Sequence, residues 1–127
     1  MHKTHNPEAA GMTTPTHSHA VETRSGTRNL HISGQIGMDA SGNIGRDAKE
    51  QSTLIFQNIS EVLKAAEMSI DNLVLLRCYL VEASDLPAFR EVRVSFLSGR
   101  RPASTLVLVK ALADPRLLVE VEALASA

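Results

Sequence analysis

The sequence predicts a small protein of the α+β class, and three observations lead to this prediction. Two segments repeat apolar residues at helical spacing, several short runs have the composition of strands, and turn-forming residues separate these elements. The chain has 127 residues, which suits one domain, because two smaller independent cores would each be marginally stable. The predicted order is strand–strand–strand–helix–strand–helix–strand–strand.

The first part of the chain is predicted to be a tail followed by strands. Residues 1–15 show no period and contain helix-breaking prolines, so we expect a flexible tail, with a single domain over residues 16–127. Residues 21–24 and 30–36 are β-prone runs separated by a turn. A second turn at residues 39–43 predicts strands joined by hairpins before the first helix.

The first helix is predicted over residues 48–67. Asp47 is a suitable N-cap, and Glu50 follows at the spacing of a capping box. Apolar residues at i, i+3 and i+4 define its buried face, namely Ile55, Ile59, Val62, Leu63 and Ala66. Residues 72–81 then predict a strand that is apolar on both faces and is interrupted only by Arg77.

The second helix is predicted to begin near Ser84 and Asp85, since Pro87 is tolerated in a first turn, and to end at Gly99. Its inward face carries Phe89, Val92, Phe96 and Leu97. Two more strands are predicted, over residues 105–109 and 117–124, with a turn at Asp114 and Pro115 between them.

The doubly apolar strands predict self-association. Two helices cover only one face of a sheet, so the strands over residues 73–81 and 105–109 would leave an apolar patch on the other face, which soluble monomers avoid. We therefore expect copies of the chain to associate through the open face of the sheet.

Composition and charge exclude several classes of protein. Thirteen basic and fourteen acidic residues give a net charge of -1, which argues against nucleic acid or an anionic membrane as a partner. The single cysteine, Cys78, forms neither an internal disulfide nor a zinc framework. No apolar run approaches the roughly 20 residues of a membrane span, and the polar start lacks the core of a signal peptide. A cytoplasmic location is therefore expected.

Two features are candidates for chemistry. The segment Ser33-Gly34-Gln35-Ile36-Gly37 ends a predicted strand, where glycine either lets a backbone amide approach a ligand or simply forms a bulge or turn. Glu120 and Glu122 alternate along the last strand and share one face. Such carboxylates either pair with arginine or face water, or else one of them holds and polarises a water molecule.

Other polar residues give weaker signals. His17 and His19 have an H-x-H spacing, but without a third ligand they indicate no metal site. Ser33 and Ser104 lack the context of a nucleophile elbow, so a hydrolase triad is not supported. Arg101, with Arg100, either grips an anion or compensates the dipole of the preceding helix.

Taken together, the motifs resemble those of the Rid/YjgF (RidA) family of reactive-intermediate deaminases. The matching residues are Ser33-Gly34-Gln35-Ile36, Gln51, Asn58-Ile59, Pro102-Ala103-Ser104-Thr105 and Val119-Glu120-Val121-Glu122-Ala123, in the family's order, over residues 15–125. The resemblance implies a chorismate-mutase-like fold, a mixed six-stranded sheet with two helices on one face. It also implies a homotrimer with a central barrel and clefts between neighbouring subunits.

The resemblance further implies a hydrolase without metal or organic cofactor that converts enamines and imines, such as 2-iminobutanoate and 2-iminopropanoate, to 2-oxo acids and ammonia. Gly34 matches the family's pocket glycine, with Ser33 beside it, and Glu120 matches the glutamate that positions the attacking water. Ser104 stands where the family has an arginine that binds the substrate carboxylate, and His17 stands where an aromatic residue is expected. Arg101 is near in sequence as a replacement cation.

Three functional interpretations follow. The chain is an imine deaminase with altered specificity, in which Ser104 binds a less charged substrate and Glu120 holds water. Alternatively, it is a non-catalytic trimer that binds a small metabolite or a protein partner. A ribonuclease or translation inhibitor, a label that the family often carries, ranks lowest because the chain has no clustered basic stripe.

Overall fold

A computed structural model of the chain describes residues 2–8, 18–24 and 28–127. Within these residues it contains six β-strands and two α-helices, which confirms the predicted α+β class. The strands are β1 Lys3–His5, β2 Ala20–Glu22, β3 Asn29–Ile36, β4 Leu73–Leu80, β5 Ala103–Leu108 and β6 Val119–Ser126, and the helices are α1 Ala48–Ala65 and α2 Leu86–Leu97.

The six described strands divide between two sheets. The main sheet has the order β3-β6-β4-β5 and is mixed, because β4 is parallel to β5 but antiparallel to β6. The strands β1 and β2 form a separate antiparallel pair. The mixed sheet with two helices is thus confirmed. The prediction of six strands in one sheet is not met by the described residues, because β1 and β2 use their backbone hydrogen bonds on each other and the main sheet has four strands.

The part of the chain before α1 differs from the prediction in two respects. Lys3–His5, which the sequence assigns to a flexible tail, form β1, because a ladder of backbone hydrogen bonds needs no apolar period. The strand expected after the 39–43 turn is reduced to one isolated bridge between Met38 and Ile44. The Asp39 carboxylate explains this, since it accepts the backbone N–H groups of the turn and closes it tightly.

Both helices begin as the sequence predicts. The Asp47 side chain accepts a hydrogen bond from Glu50 N at 2.8 Å and caps α1. A short 3₁₀ turn, Ala83–Asp85, precedes α2, and Pro87 lies in the first turn of that helix. The helix α2 ends at Leu97 and is followed by two left-handed residues, Ser98 with φ of 48° and Gly99 with φ of 86°.

The helices cover one face of the main sheet, and the hydrophobic core lies between them. The core side chains from the sheet are those of Leu76, Cys78, Leu80, Val119, Val121 and Ala123, and those from the helices include Ile55, Ile59, Leu63, Phe89 and Leu97. The alternating residues of β4 and β6, including Tyr79, Glu120 and Glu122, lie on the other face, here called the open face. The predicted division of β6 into core and polar faces is therefore confirmed.

Within the described residues, neither helix is long and apolar enough to cross a bilayer.

Candidate active site

Ser33 and Gly34 form a β-bulge in the edge strand β3. Ile32 pairs with Ala123 and Gln35 pairs with Val121, so two residues of β3 lie opposite the single residue between those partners on β6. A bulge bends an edge strand and redirects its backbone, and glycine tolerates the close approach that this requires. The structure therefore contains the bulge that was one of the two interpretations of this motif.

The bulge brings Gly34 against the carboxylate of Glu120. A Cβ atom at position 34 would lie 2.0 Å from Oε2 and 2.9 Å from Cδ of Glu120. No other residue type fits at position 34 while Glu120 keeps this rotamer. Gly34 and Glu120, which are distant in sequence, are thus neighbours in one half-open site at the edge of the sheet.

The two glutamates of β6 have different surroundings. The Tyr79 hydroxyl donates a hydrogen bond of 2.5 Å to Oε1 of Glu122, and the Arg77 guanidinium lies 3.8 Å from the same oxygen. Among the described residues, no side chain forms a hydrogen bond or ion pair with the Glu120 carboxylate. Glu122 is therefore engaged within the sheet, whereas Glu120 has oxygen atoms available to a water molecule or ligand.

Tyr79 is the cross-strand neighbour of Glu120 on the open face. Its hydrogen bond to Glu122, followed by burial and the negative charges of Glu122 and Glu120, raises the pKa of the phenol above its usual value. The phenol is therefore protonated at neutral pH, and its O–H group is the donor in the hydrogen bond to Glu122.

Ser104 lies on the opposite side of the main sheet from Glu120. It pairs with Leu76 of β4, whose side chain is fully buried beneath the helices, whereas Glu120 pairs with Tyr79 on the open face. Paired residues of neighbouring strands point to the same side of a sheet. One subunit therefore brings Gly34 and Ser33 together with Glu120, but does not bring Ser104 to them.

The remaining candidates lie around the start of β5. Ser18 forms an isolated bridge with Ala103, and its hydroxyl donates a hydrogen bond to the carbonyl of Arg101. Arg101 is half-buried at the entrance to the strand that carries Ser104. His17 lies outside the described residues.

The sequence analysis missed one buried cation, Arg93 of α2. Only 6% of this residue is exposed, and its Cζ lies 5.2 Å from the centre of the Phe89 ring. Burial raises the pKa of the neighbouring Cys78 thiol to about 11, while the charge of Arg93 and hydrogen bonding by Arg93 and Ser104 offset part of the rise. The signal available in the sequence was an arginine four residues after Phe89 and four before Leu97, within the apolar stripe of a helix.

Within the part of the chain that the structure describes, no three histidine, cysteine or acidic side chains are close enough together to hold a metal ion.

The sequence and the fold match known proteins over nearly the whole chain. The family model described as Endoribonuclease L-PSP matches residues 8–127. A solved structure of the conserved Rid protein YyfB from Yersinia pestis superposes with a TM-score of 0.88 at 38% identity, and the match covers 98% of this chain and 97% of that one. The chain belongs to the Rid/YjgF family.

Two further relatives carry more specific names. A RutC family protein of Saccharolobus solfataricus is 35% identical over 99 residues, which cover 76% of this chain and 77% of the relative. The 2-iminobutanoate/2-iminopropanoate deaminase of Rattus norvegicus is 32% identical over 104 residues, which cover 77% of this chain and 72% of that enzyme.

Proposed function

We propose that this protein is a deaminase that hydrolyses small imines and enamines to a carbonyl compound and ammonia. The observation that carries the proposal is the Glu120 carboxylate, which lies against Gly34 without a side-chain partner among the described residues. The name of the rat relative supports the substrate class.

The chemistry requires one positioned water molecule and proton transfer. Glu120 takes a proton from the water as its oxygen attacks the carbon of the protonated C=N group, and a carbinolamine forms. The carboxyl group then gives that proton to the nitrogen. The C–N bond breaks, ammonia leaves, and the hydroxyl group gives its proton to the Glu120 carboxylate as the C=O bond forms. The carboxyl group then releases this proton to ammonia or water, which returns Glu120 to its starting state. The Tyr79 hydroxyl takes no part in these steps, because it donates its single proton to Glu122.

The proposal includes a trimer with sites shared between subunits. Glu120 and Ser104 occupy opposite faces of one sheet, so a pocket that uses both needs a second copy of the chain. Val107 on the open face is 42% exposed in the single chain, and Leu75 and Leu124 lie on the same face. An apolar surface of this kind favours burial against another subunit.

The decisive test is ammonia release from freshly generated imines of several amino acids, with light scattering to measure the mass in solution. We expect release well above the uncatalysed rate and a trimeric mass. If the wild type releases ammonia only at the uncatalysed rate and Ser104→Arg gains activity, the result would contradict the proposal for carboxylate-bearing imines. Absence of activity in both proteins would favour the non-catalytic trimer instead.

Gly34→Ala should lower ammonia release by at least about tenfold with little loss of stability. The new Cβ would displace the Glu120 carboxylate, and the end of a flexible side chain moves at small energetic cost. Release kinetics and thermal denaturation measure the two effects.

Gly42→Ala is the matched control for this substitution. Gly42 has φ of 85° with open space around it in the 39–43 turn, so alanine there should cost stability of about 1 kcal/mol and leave the turnover rate unchanged. Equal turnover in Gly34→Ala and the wild type would show that Glu120 does not act from this position.

A further inference from the structure

A groove lies between α1 and α2, on the side of the molecule that carries the helices. Its apolar lining consists of Phe56 from α1 and of Val92 and Phe96 from α2. The volume of the groove is about 340 Å³, at the small end of the range of about 300–1,000 Å³ that is usual for small-molecule sites. A groove of this size suits a small molecule better than the row of anchoring side chains that a docked helix presents.

The aromatic residues of the chain are concentrated at this groove. The chain has three phenylalanines, one tyrosine and no tryptophan, and all three phenylalanines belong to one cluster. The rings of Phe56 and Phe96 are stacked with their centroids 4.6 Å apart, and the Phe89 centroid lies 5.9 Å from that of Phe56. Phe56 and Phe89 are buried, whereas Phe96 is half-buried and lines the groove. A ring that enters the groove therefore continues an existing aromatic stack, which adds to the free energy gained by apolar burial.

Two opposite charges meet across the groove. Nζ of Lys49, on α1, lies 3.2 Å from Oε1 of Glu91, on α2, and the two side chains are 61% and 66% exposed. An ion pair this exposed contributes little to stability, so its partners are exchanged at small cost. A free amino acid carries the complementary charges, because its carboxylate matches Lys49 and its ammonium group matches Glu91. Such complementarity favours a zwitterion over a ligand with one charge or none.

The groove lies on the opposite side of the main sheet from the open face. The helices pack on the core face, whereas Tyr79, Glu120 and Glu122 lie on the other. Association of copies through the open face, as proposed above, leaves the groove accessible. A ligand in the groove would also not compete with water or an imine at Glu120.

We propose that the α1–α2 groove is a binding site for a free α-amino acid with an aromatic side chain. The ring of the ligand stacks on Phe96, its carboxylate pairs with Lys49, and its ammonium group pairs with Glu91. The ion pair between the two helices opens to admit these groups, and each of its partners keeps an opposite charge beside it. This site goes beyond the proposed deaminase activity and does not depend on it.

The test is a titration of the intact protein with L-phenylalanine, followed through the NMR shifts of the backbone amides. We expect amides around Lys49, Phe56 and Phe96 to shift, and amides around Gly34 and Glu120 to stay in place. 3-Phenylpropanoate and 2-phenylethylamine each lack one charged group and should bind about three- to fivefold more weakly, the effect of losing one exposed ion pair. L-Leucine lacks the ring and should bind about three- to tenfold more weakly.

Two exposed substitutions correspond to the two singly charged analogues. Lys49→Met should weaken L-phenylalanine binding about three- to fivefold without weakening that of 2-phenylethylamine, which has no carboxylate. Glu91→Gln should do the same for L-phenylalanine without weakening the binding of 3-phenylpropanoate, which has no ammonium group. Lys64→Met is the matched control, because Lys64 is an exposed lysine of α1 that pairs with Glu61 at 3.7 Å and does not line the groove. It should change none of these affinities.

Several results would overturn the amino-acid site. They are L-phenylalanine shifts that are absent or confined to the surroundings of Gly34 and Glu120, wild-type affinity for L-phenylalanine in both Lys49→Met and Glu91→Gln, and equal binding of L-leucine and L-phenylalanine. N-acetyl-L-phenylalanine amide keeps the ring but has neither charge. If it binds as tightly as L-phenylalanine, the groove takes an aromatic side chain of a partner protein instead. Groove binding that meets these expectations in a protein without ammonia release would uphold the site and contradict only the deaminase.

Discussion

Glu120→Gln is expected to lower the rate of ammonia release from small imines by about 10²- to 10⁴-fold, the usual contribution of a positioned general base. Glutamine keeps the size of the side chain and its contact with Gly34, but it does not accept a proton from water. The loss should therefore fall on kcat, with KM changed little. Release assays at saturating imine, followed over the first seconds after imine generation, measure it.

Glu122→Gln is the matched control for the Glu120→Gln substitution. Glu122 lies on the same face of the same strand, but its carboxylate is already held by Tyr79 and faces Arg77. We expect this variant to retain turnover within about threefold of wild type, since no step of the proposed reaction uses Glu122. Equal losses in the two variants would indicate that the negative charge of the open face, and not a base at Glu120, supports the reaction.

Gln51→Leu is expected to lower the free energy of unfolding by about 3–5 kcal/mol. Gln51 is 1% exposed and joins α1 to two loops. Its Nε2 donates to the carbonyls of Gly45 and Arg116, each at 3.0 Å, and its Oε1 accepts from Leu118 N at 2.8 Å. Leucine fills the same space but leaves these three backbone groups without their partner. Urea denaturation followed by circular dichroism measures the change.

Gln57→Leu provides the comparison on the same helix. Gln57 is exposed on α1, so the same substitution there should change the free energy of unfolding by no more than about 0.5 kcal/mol. If the two variants were equally stable, the hydrogen bonds of Gln51 would contribute nothing net to the fold. The presence of Gln51 among the motif residues would then need an explanation other than its hydrogen bonds to the loop before β6.

The helices and the core could be predicted from the sequence because their signals are local. The apolar repeat of α1 places Ile55, Ile59 and Leu63 on one side of the helix wherever that helix packs, and the Asp47 cap acts within one turn. Alternation along β6 likewise separates Val119 and Val121 from the glutamates before any pairing is known. These periods follow from backbone geometry alone.

The short strands could not be predicted in the same way. Lys3–His5 pair with Ala20–Glu22 through backbone groups that every residue carries, so no pattern of side chains marks β1. At residues 39–43 the sequence correctly indicates a turn. The Asp39 carboxylate closes that turn so tightly that only Met38 and Ile44 are bridged beyond it.

The candidate site was predicted in part. The resemblance selected Gly34 and Glu120, and the structure brings them into contact through a bulge that no periodicity reveals. Ser104 was expected in the same pocket; within one chain, parallel pairing with β4 turns it toward the helices, and a pocket shared between subunits stays a prediction. Arg93 went unnoticed because an arginine within an apolar stripe looks like an interruption of the core until its neighbours are known.

The sequence by itself thus determined the α+β class, the two amphipathic helices, the core face of β6 and the residues that resemble the Rid/YjgF motifs. Only the tertiary structure decided that Glu120 rests against Gly34, that Tyr79 engages Glu122 instead, and that Arg93 is buried over the Phe89 ring. The physical reason is the range of the interactions. Apolar periods and helix caps act over a few residues. Strand order, register and a bulge instead join residues that are far apart in the chain, and these pairings decide which charged side chains become neighbours.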